Sequence, residues 1–412
     1  MDATRRDLAV GAAIAGLAMA GAADAESEAG FWRRIAREYE LPQGVTQLEN
    51  GNYGVMAKPV RVAYEAHLRR VNRDGSYYTR RTFDQDLAPI AARAGALLGV
   101  GGDEIVFTRG ATEALQALIG GYNRLKPGDG VLFADLDYDA MQTAMAWLQN
   151  RRGARIVKID LPEPATRQGL IDAYVQAFEA NPHLRLALLT HVSHRTGLIL
   201  PVAEIAEQAR ARGIDCIVDS AHAWGQIPFT LPELKADFVG LNAHKWIGAP
   251  LGVGILYCRK ARLPDLDPYM GEPGPVDDIR TKVHTGTSNF AAYLALDAAL
   301  DMHETIGPAR KTARLAALRD RWAEPLRDHP GIEILTPTDP SLRGAITSFR
   351  LKGKTTPADN RAIARRLLDE HRIFTVARTG VAKGACVRVT PAVFTSEADI
   401  DRLLAALRAI AG

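Results

Sequence analysis

The chain has 412 residues, enough for two or three domains at roughly 150 residues each, so it needs no disulfide or metal to support a small core. Hydrophobic residues make up 47% and charged residues 24%, a globular composition that excludes disorder and low complexity for the bulk of the chain. Lys and Arg number 51 against 48 Asp and Glu, a net charge of +3 with no basic block interleaved with aromatics, which argues against a nucleic-acid partner. Cys216, Cys258 and Cys386 are odd in number and widely spaced, so they form neither a disulfide framework nor a CxxC metal site.

Thr4-Arg5-Arg6-Asp7-Leu8 opens an uncharged run from Ala9 to Ala23 that closes in Ala23-Asp24-Ala25. Charged start, apolar run and small-residue end are the three parts of a secretory signal, and paired arginines mark the twin-arginine type. The run is about 15 residues, short of the ~20 that a spanning helix requires. Residues 1–25 are therefore expected to be an address that sends the folded protein to the periplasm, with no stable membrane anchor. An Ala-rich helix packed on the domain is the alternative, but Ala, Gly and Met on every face leave it little to pack with.

Gly30 to Tyr39 has the pattern of an amphipathic helix, and Gln47 to Gly54 that of a turn-rich lead-in. From about residue 60, helix-period stretches alternate with short apolar runs: Glu104 to Phe107, Val131 to Phe133, Arg155 to Val157, Leu186 to Leu189, Cys216 to Val218 and Phe238 to Leu241. Such runs with helices between them, Val202 to Arg212 for example, predict a mainly parallel sheet buried on both faces. Gly252 to Tyr257 follows too closely for a crossover helix and is expected to return antiparallel. A helical stretch from Phe290 to Arg327 leads to strands near Ile332 to Leu335, Ala345 to Arg350 and Cys386 to Val389, with helices at Thr356 to His371 and Ser396 to Ala411. The expected organisation is an N-terminal segment (26–50), a large α/β domain (51–295) and a smaller α+β domain (296–412).

Ligands of open α/β sheets bind beyond the carboxyl ends of the strands, so the residues after each run matter most. Thr108-Arg109-Gly110-Ala111-Thr112-Glu113 is a small-residue turn opening a helix. Its free N–H groups and dipole can cradle a phosphate, with Thr112 adding a hydroxyl; a plain capping turn has the same sequence. It is neither a P-loop nor a dinucleotide fingerprint. After the next strands stand Asp219-Ser220-Ala221-His222 and Asn242-Ala243-His244-Lys245. Singly, the Asp can be a helix cap, each His a structural group and the Lys a solvated charge. Together, at neighbouring strand tips beside a phosphate turn, they point to pyridoxal phosphate. A lysine amine joins its aldehyde, an aspartate keeps the ring nitrogen protonated, a helix N-terminus holds the phosphate, and an aromatic covers the ring, a role for Tyr138.

On these motifs the sequence resembles the class V aminotransferases, fold type I pyridoxal-phosphate enzymes, and within them the branch related to isopenicillin N epimerase and the cysteine desulfurases. The resemblance spans roughly residues 30–410. It implies the fold type I architecture, an α/β domain with a mainly parallel seven-stranded-type sheet plus a smaller α+β domain. It also implies that Lys245 is the residue joined to the cofactor, that Asp219 pairs with the pyridine nitrogen and that His222 approaches the ring hydroxyl. Ala111, Thr112, Asn242 and His244 would surround the phosphate. Thr287, in His284-Thr285-Gly286-Thr287, would reach the phosphate of the neighbouring subunit in a homodimer. Arg388 would grip the substrate α-carboxylate, a task suited to a bidentate fork. The family's N-terminal segments cover the active-site mouth, which makes Gln47 to Tyr53, Asn52 and Tyr53 above all, and Gly75 to Arg81, including Tyr77, Tyr78, Arg80 and Arg81, candidates for substrate contact; surface charge on a helix end accounts equally well for the arginines.

Two departures bear on the reaction. Desulfurases carry a mobile-loop cysteine, whereas Cys386 stands two residues before Arg388 inside an apolar run, so it is expected to be structural, as are Cys216 and Cys258. His194 stands where desulfurases carry Asn near the cofactor, and reads either as a second acid/base or as a satisfied loop histidine. The cofactor sets the chemistry at Cα and leaves aminotransferase-type chemistry first, a Cβ–S or similar lyase second and an epimerase third. A fold retained for binding alone is the alternative from another class, and the presence of both Asp219 and Lys245 argues against it. An exported enzyme would load its cofactor in the cytoplasm before leaving.

Overall fold

The structure, a computed structural model, describes residues 27–284 and 286–412; the secretory-signal pattern lies outside them. Apolar runs form seven strands: β2 (Ile105–Thr108), β3 (Gly130–Ala134), β4 (Arg155–Ile159), β5 (Leu184–Thr190), β6 (Asp215–Ser220), β7 (Phe238–Asn242) and β8 (Gly254–Cys258). Their order across the sheet is β2-β8-β7-β6-β5-β3-β4, parallel from β7 to β4. As the short connection requires, β8 runs antiparallel to both β7 and β2. Strands β3, β7 and β8 are buried throughout, whereas edge strand β4 exposes Arg155 and Lys158, charges that discourage pairing with another chain.

Crossover helices cover both faces, and two apolar clusters fill the space between sheet and helices. The elements that position the site are α4 (Ala111–Gly121), which follows β2, and α5 (Asp139–Arg152), which follows β3. Ahead of these stand α1 (Glu28–Arg37), α2 (Lys58–Arg81) and α3 (Phe83–Leu97). The remaining crossovers are α6 (Arg167–Ala180) and α7 (Val202–Arg210). The expected helical stretch beyond Phe290 is three helices, α8 (Phe290–Leu294), α9 (Leu296–Ile306) and α10 (Pro308–Ala323); Gly307, with φ of 85°, separates the last two.

A second sheet orders β12 (Val376–Arg378), β13 (Cys386–Val389), β10 (Thr347–Leu351) and β9 (Ile332–Ile334), all antiparallel. Helices α11 (Pro357–His371) and α12 (Glu397–Ala411) cover it, the latter started by a capping box of Ser396 and Asp399. The N-terminal segment is not a separate appendage. Its β1 (Thr46–Gln47) pairs in parallel with β11 (Ile373–Phe374), and Glu49 bridges to Thr390, so Glu49 to Asn52 are carried to the mouth between the two sheets. No described helix is long and apolar enough to cross a membrane.

Close backbone approach at one point fixes the turn before α4. A Cβ on Gly254 would lie 2.4 Å from the Gly110 Cα, so β8 can pass that turn only as glycine. Gly254→Ala is therefore expected to lower stability by about 1–3 kcal/mol, the range for overpacking, and to loosen the α4 N-terminus. Denaturant unfolding checks this, and wild-type stability in the variant would contradict it.

Candidate active site

The carboxyl ends of β5, β6 and β7, the N-terminus of α4 and the strands β12 and β13 enclose a cavity of about 460 Å³. Ala111, Thr112, Tyr138, His194, Asp219, His222, Asn242, His244, Lys245, Arg388 and Asn52 all line it. Asp219 and Asn242 are the last residues but one and the last of their strands, so the sheet itself aims them.

Lys245 is the centre. Its Nζ lies 2.8 Å from His222 Nε2, and the Trp246 indole donates to His222 Nδ1 over a long 3.4 Å. An indole N–H can only donate, so Nδ1 is the acceptor and the imidazole proton sits on Nε2. That proton can then be donated to the Lys245 amine whenever the amine is unprotonated. Charge and burial agree: desolvation, reinforced by Arg388 and only partly offset by Asp219, brings the Lys245 amine down to about 7. His222 is held neutral, chiefly by burial and then by Lys245. Asp219 is buried, accepts from the Ala221 N–H at 2.9 Å, and has its pKa raised by desolvation. A carboxylate in that state gains from a cation placed against it.

The far end of the cavity is built by α4. Gly110 precedes it, and the Ala111 N–H donates to the Asn242 side chain at 2.7 Å, which ties the helix start to the tip of β7. His244 donates Nδ1–H to the Val253 carbonyl at 2.9 Å, and burial lowers its pKa to about 4, so it is a neutral group beside the turn. The helix has no side-chain cap, which leaves its remaining first-turn N–H groups for a ligand. Tyr138 immediately precedes α5 and meets the His194 ring edge-on, centroids 5.0 Å apart. His194 is neutral through burial, and its Nδ1 is buried without a partner.

The opposite wall carries Arg388, whose Nε and Nη2 hold both oxygens of Glu49 and whose Nη1 donates to the His194 carbonyl at 2.7 Å. Burial brings its pKa down to about 10. Tyr53 is 48% exposed and stands outside the lining. Tyr77, Arg80 and Arg81 are exposed on α2, also outside it, and Tyr78 is committed to packing, its hydroxyl donating to Asp86 at 2.7 Å. Thr287 is exposed and outside its own chain's cavity. Sequence reasoning covered Glu49 and Gly51 only within the candidate stretch Gln47 to Tyr53, and missed Thr190 and Arg378. Thr190 and Arg378 had no motif to announce them.

The aminotransferase class-V profile matches residues 59–403, so the chain belongs to that family, whose enzymes depend on pyridoxal phosphate. An isopenicillin N epimerase from Streptomyces clavuligerus is 33% identical over 333 residues, 76% of this chain and 82% of that one. A probable cysteine desulfurase from Xylella fastidiosa is 26% identical, covering 78% and 81%. Among solved structures, the C-DES enzyme with glycine covalently linked to its pyridoxal-phosphate cofactor superposes with a TM-score of 0.76 at 22% identity, over 89% of this chain and 96% of that one. The residues here fit that cofactor: an uncapped helix start for the phosphate, a buried carboxylate wanting a cation, and a buried lysine amine whose proton is held weakly, all in one cavity.

A second buried amine supports the site from behind. Lys311, on α10, donates to the carbonyl of Trp246, and burial alone brings it down to about 7. Between that value and the ordinary lysine value of 10.5 the unfolded chain holds a proton that the folded chain lacks, so stability rises with pH across that window. Lys245 acts in the same direction. In Lys311→Met the gain in melting temperature from pH 7 to 10 is expected to shrink, as thermal unfolding will read; an unchanged pH slope would contradict the assignment.

Proposed function

We propose that this class V enzyme acts at the Cα of an amino acid or an amino-acid-ended metabolite by aminotransferase-type chemistry, with Lys245 as the base. The observation that carries this reading is the buried Lys245 amine, 2.8 Å from His222 Nε2 in a cavity that also offers guanidinium groups for a carboxylate. When bound, pyridoxal phosphate supplies an electron sink for negative charge developing at Cα. Asp219 would hold the ring nitrogen, the α4 N-terminus with Thr112 the phosphate, and Tyr138 with His194 a ring face. Lys245, once displaced by the substrate amine, takes the Cα proton onto Nζ, and a pKa near 7 suits it to do so at neutral pH. His222 keeps that nitrogen aimed.

Where the proton goes next separates the outcomes. Delivery by Lys245 away from Cα gives transamination. Delivery to Cα from the other side gives epimerisation, a second reading favoured by the unpartnered Nδ1 of His194 and by the likeness to isopenicillin N epimerase. Loss of a β-substituent gives a lyase. Desulfuration through a persulfide is disfavoured because Cys216, Cys258 and Cys386 are buried in strands with thiols pushed up to about 12, 12 and 11. We also propose a homodimer, supported by the exposure of Thr287 outside its own cavity, and export by the twin-arginine route, supported by Arg5 and Arg6 ahead of the uncharged run.

Lys245→Ala is expected to abolish turnover while leaving the fold and thermal unfolding intact; near-normal turnover would remove the lysine from its role. In the wild type, mass analysis after a screen of amino compounds is expected to find a keto product, and an inverted stereocentre or a released fragment with ammonia would replace transamination with epimerisation or elimination. Replacing both Arg5 and Arg6 by Lys is expected to remove the protein from the periplasmic fraction, and undiminished periplasmic protein would contradict export by that route.

A further inference from the structure

One buried carboxylate beneath the cavity has no task in the chemistry proposed above. Asp137 is buried in the turn after β3, and its position is fixed by two donors. Its Oδ1 accepts the Thr190 hydroxyl and its Oδ2 the Ala134 N–H, each at 2.6 Å. Among the described residues it forms no ion pair. The buried Arg195 guanidinium spends its donors on the Asp135 and Gly380 carbonyls and on Asp139. Asp135, Asp219 and the buried, partnerless Tyr174 hydroxyl of α6 make up the titratable surroundings, so a negative charge at Asp137 is opposed by two further carboxylates.

Thr190 lies between two of these acids. Across the sheet the order is β6-β5-β3. Thr190 ends β5, with Asp219 of β6 opposite it in register on one side and Asp137, from the turn after β3, on the other. Neighbouring strands lie about 4.8 Å apart, so a hydroxyl on β5 can serve a carboxylate on either side but has only one hydrogen to give. It gives that hydrogen to Asp137. Asp219 therefore receives one hydrogen bond, from the Ala221 N–H, and its second oxygen receives none among the described residues. A carboxylate with fewer donors on it is a stronger base and a better partner for a cation. Thr190 and Asp219 both line the cavity.

We propose that Asp137 is a positioning residue for the cofactor's ring nitrogen: it takes the Thr190 hydrogen and so keeps Asp219 free to hold the proton of that nitrogen. This rests on the reading that Asp219 faces the ring nitrogen. The Ala134 N–H makes the arrangement directional. In Asp137→Asn the amide oxygen has to face that N–H, which leaves the amide NH2 against Thr190. Thr190 must then accept, and its hydrogen turns toward Asp219. Protonation of Asp137 reverses the hydroxyl in the same way, and burial pushes that carboxyl up to about 7, so the arrangement that frees Asp219 belongs to the alkaline side of 7.

The test uses holoprotein loaded with cofactor carrying 15N in the ring, whose NMR shift reads where the ring proton sits. Wild type, Asp137→Asn, Thr190→Val and the double variant are titrated upward from about pH 8.5, above the Asp137 range. In Asp137→Asn the midpoint for loss of the ring proton is expected to fall by about one unit, a tenfold weaker hold. Thr190→Val is expected to stay near wild type, and in that background Asp137→Asn should produce less than half of its own displacement. An unmoved midpoint in Asp137→Asn, or an equal displacement with and without the Thr190 hydroxyl, overturns the proposal. A merely structural role would lower the melting temperature and leave the ring signal in place, which also overturns it. The crystal structure of wild-type holoprotein at the same pH decides the matter even if Asp137→Asn fails to fold: the Thr190 hydroxyl is expected on Asp137, and finding it on Asp219 overturns the proposal. A ring nitrogen turned away from Asp219 would instead remove the reading of the site on which the proposal rests.

Discussion

A lysine amine removed from water loses its proton cheaply and becomes a nucleophile and a base, and the surroundings of Lys245 keep it in that condition. Burial is the largest cause, Arg388 adds to it, and Asp219 opposes it. The histidine that touches the amine is itself neutral and oriented by a tryptophan indole, so it offers a hydrogen to the nitrogen instead of competing for a proton. The cost falls on stability at lower pH, and the apolar clusters on both faces of the seven-stranded sheet have to offset it.

The architecture supplies this by convergence at strand ends. Parallel strands β5, β6 and β7 end together, so Thr190 and Asn242, the last residues of β5 and β7, and Asp219, the last but one of β6, gather at one edge of the sheet, the register pairing Thr190 with Asp219 and Ser220 with Leu241. Beneath them Asp137, buried and pushed up to about 7 by desolvation, accepts from the Thr190 hydroxyl at 2.6 Å and the Ala134 N–H at 2.6 Å. That hydrogen-bonded layer fixes the turn from which Tyr138 projects. The opposite wall comes from a different sheet and from the chain's N-terminal segment, so the site exists only where three distant stretches meet.

That division explains what could be read in advance. Short apolar runs separated by helices revealed the sheet and its antiparallel return strand, because buried parallel strands must be continuously apolar. That Asp219 and Lys245 meet at one cavity was legible because residues at strand tips are gathered by the sheet alone. Glu49 and Arg378 were not, since their meaning depends on β1 pairing with β11 and on the register of β12 against β13, contacts between residues far apart in sequence. Tyr78 was a candidate because the family's N-terminal segments cover the active-site mouth; its hydroxyl and ring are taken by Asp86 and Arg70. Strand ends also shifted by one or two residues, which is why Asp219 and Asn242 lie within β6 and β7 and not just after them.

Borohydride reduction of the cofactor-loaded protein, followed by peptide mass mapping, addresses the claim about Lys245 most directly. The account requires the cofactor mass on the peptide that contains Lys245 and on no other, including the peptide of the similarly depressed Lys311. Label on Lys311 or on surface lysines, with Lys245 unmodified, would contradict it.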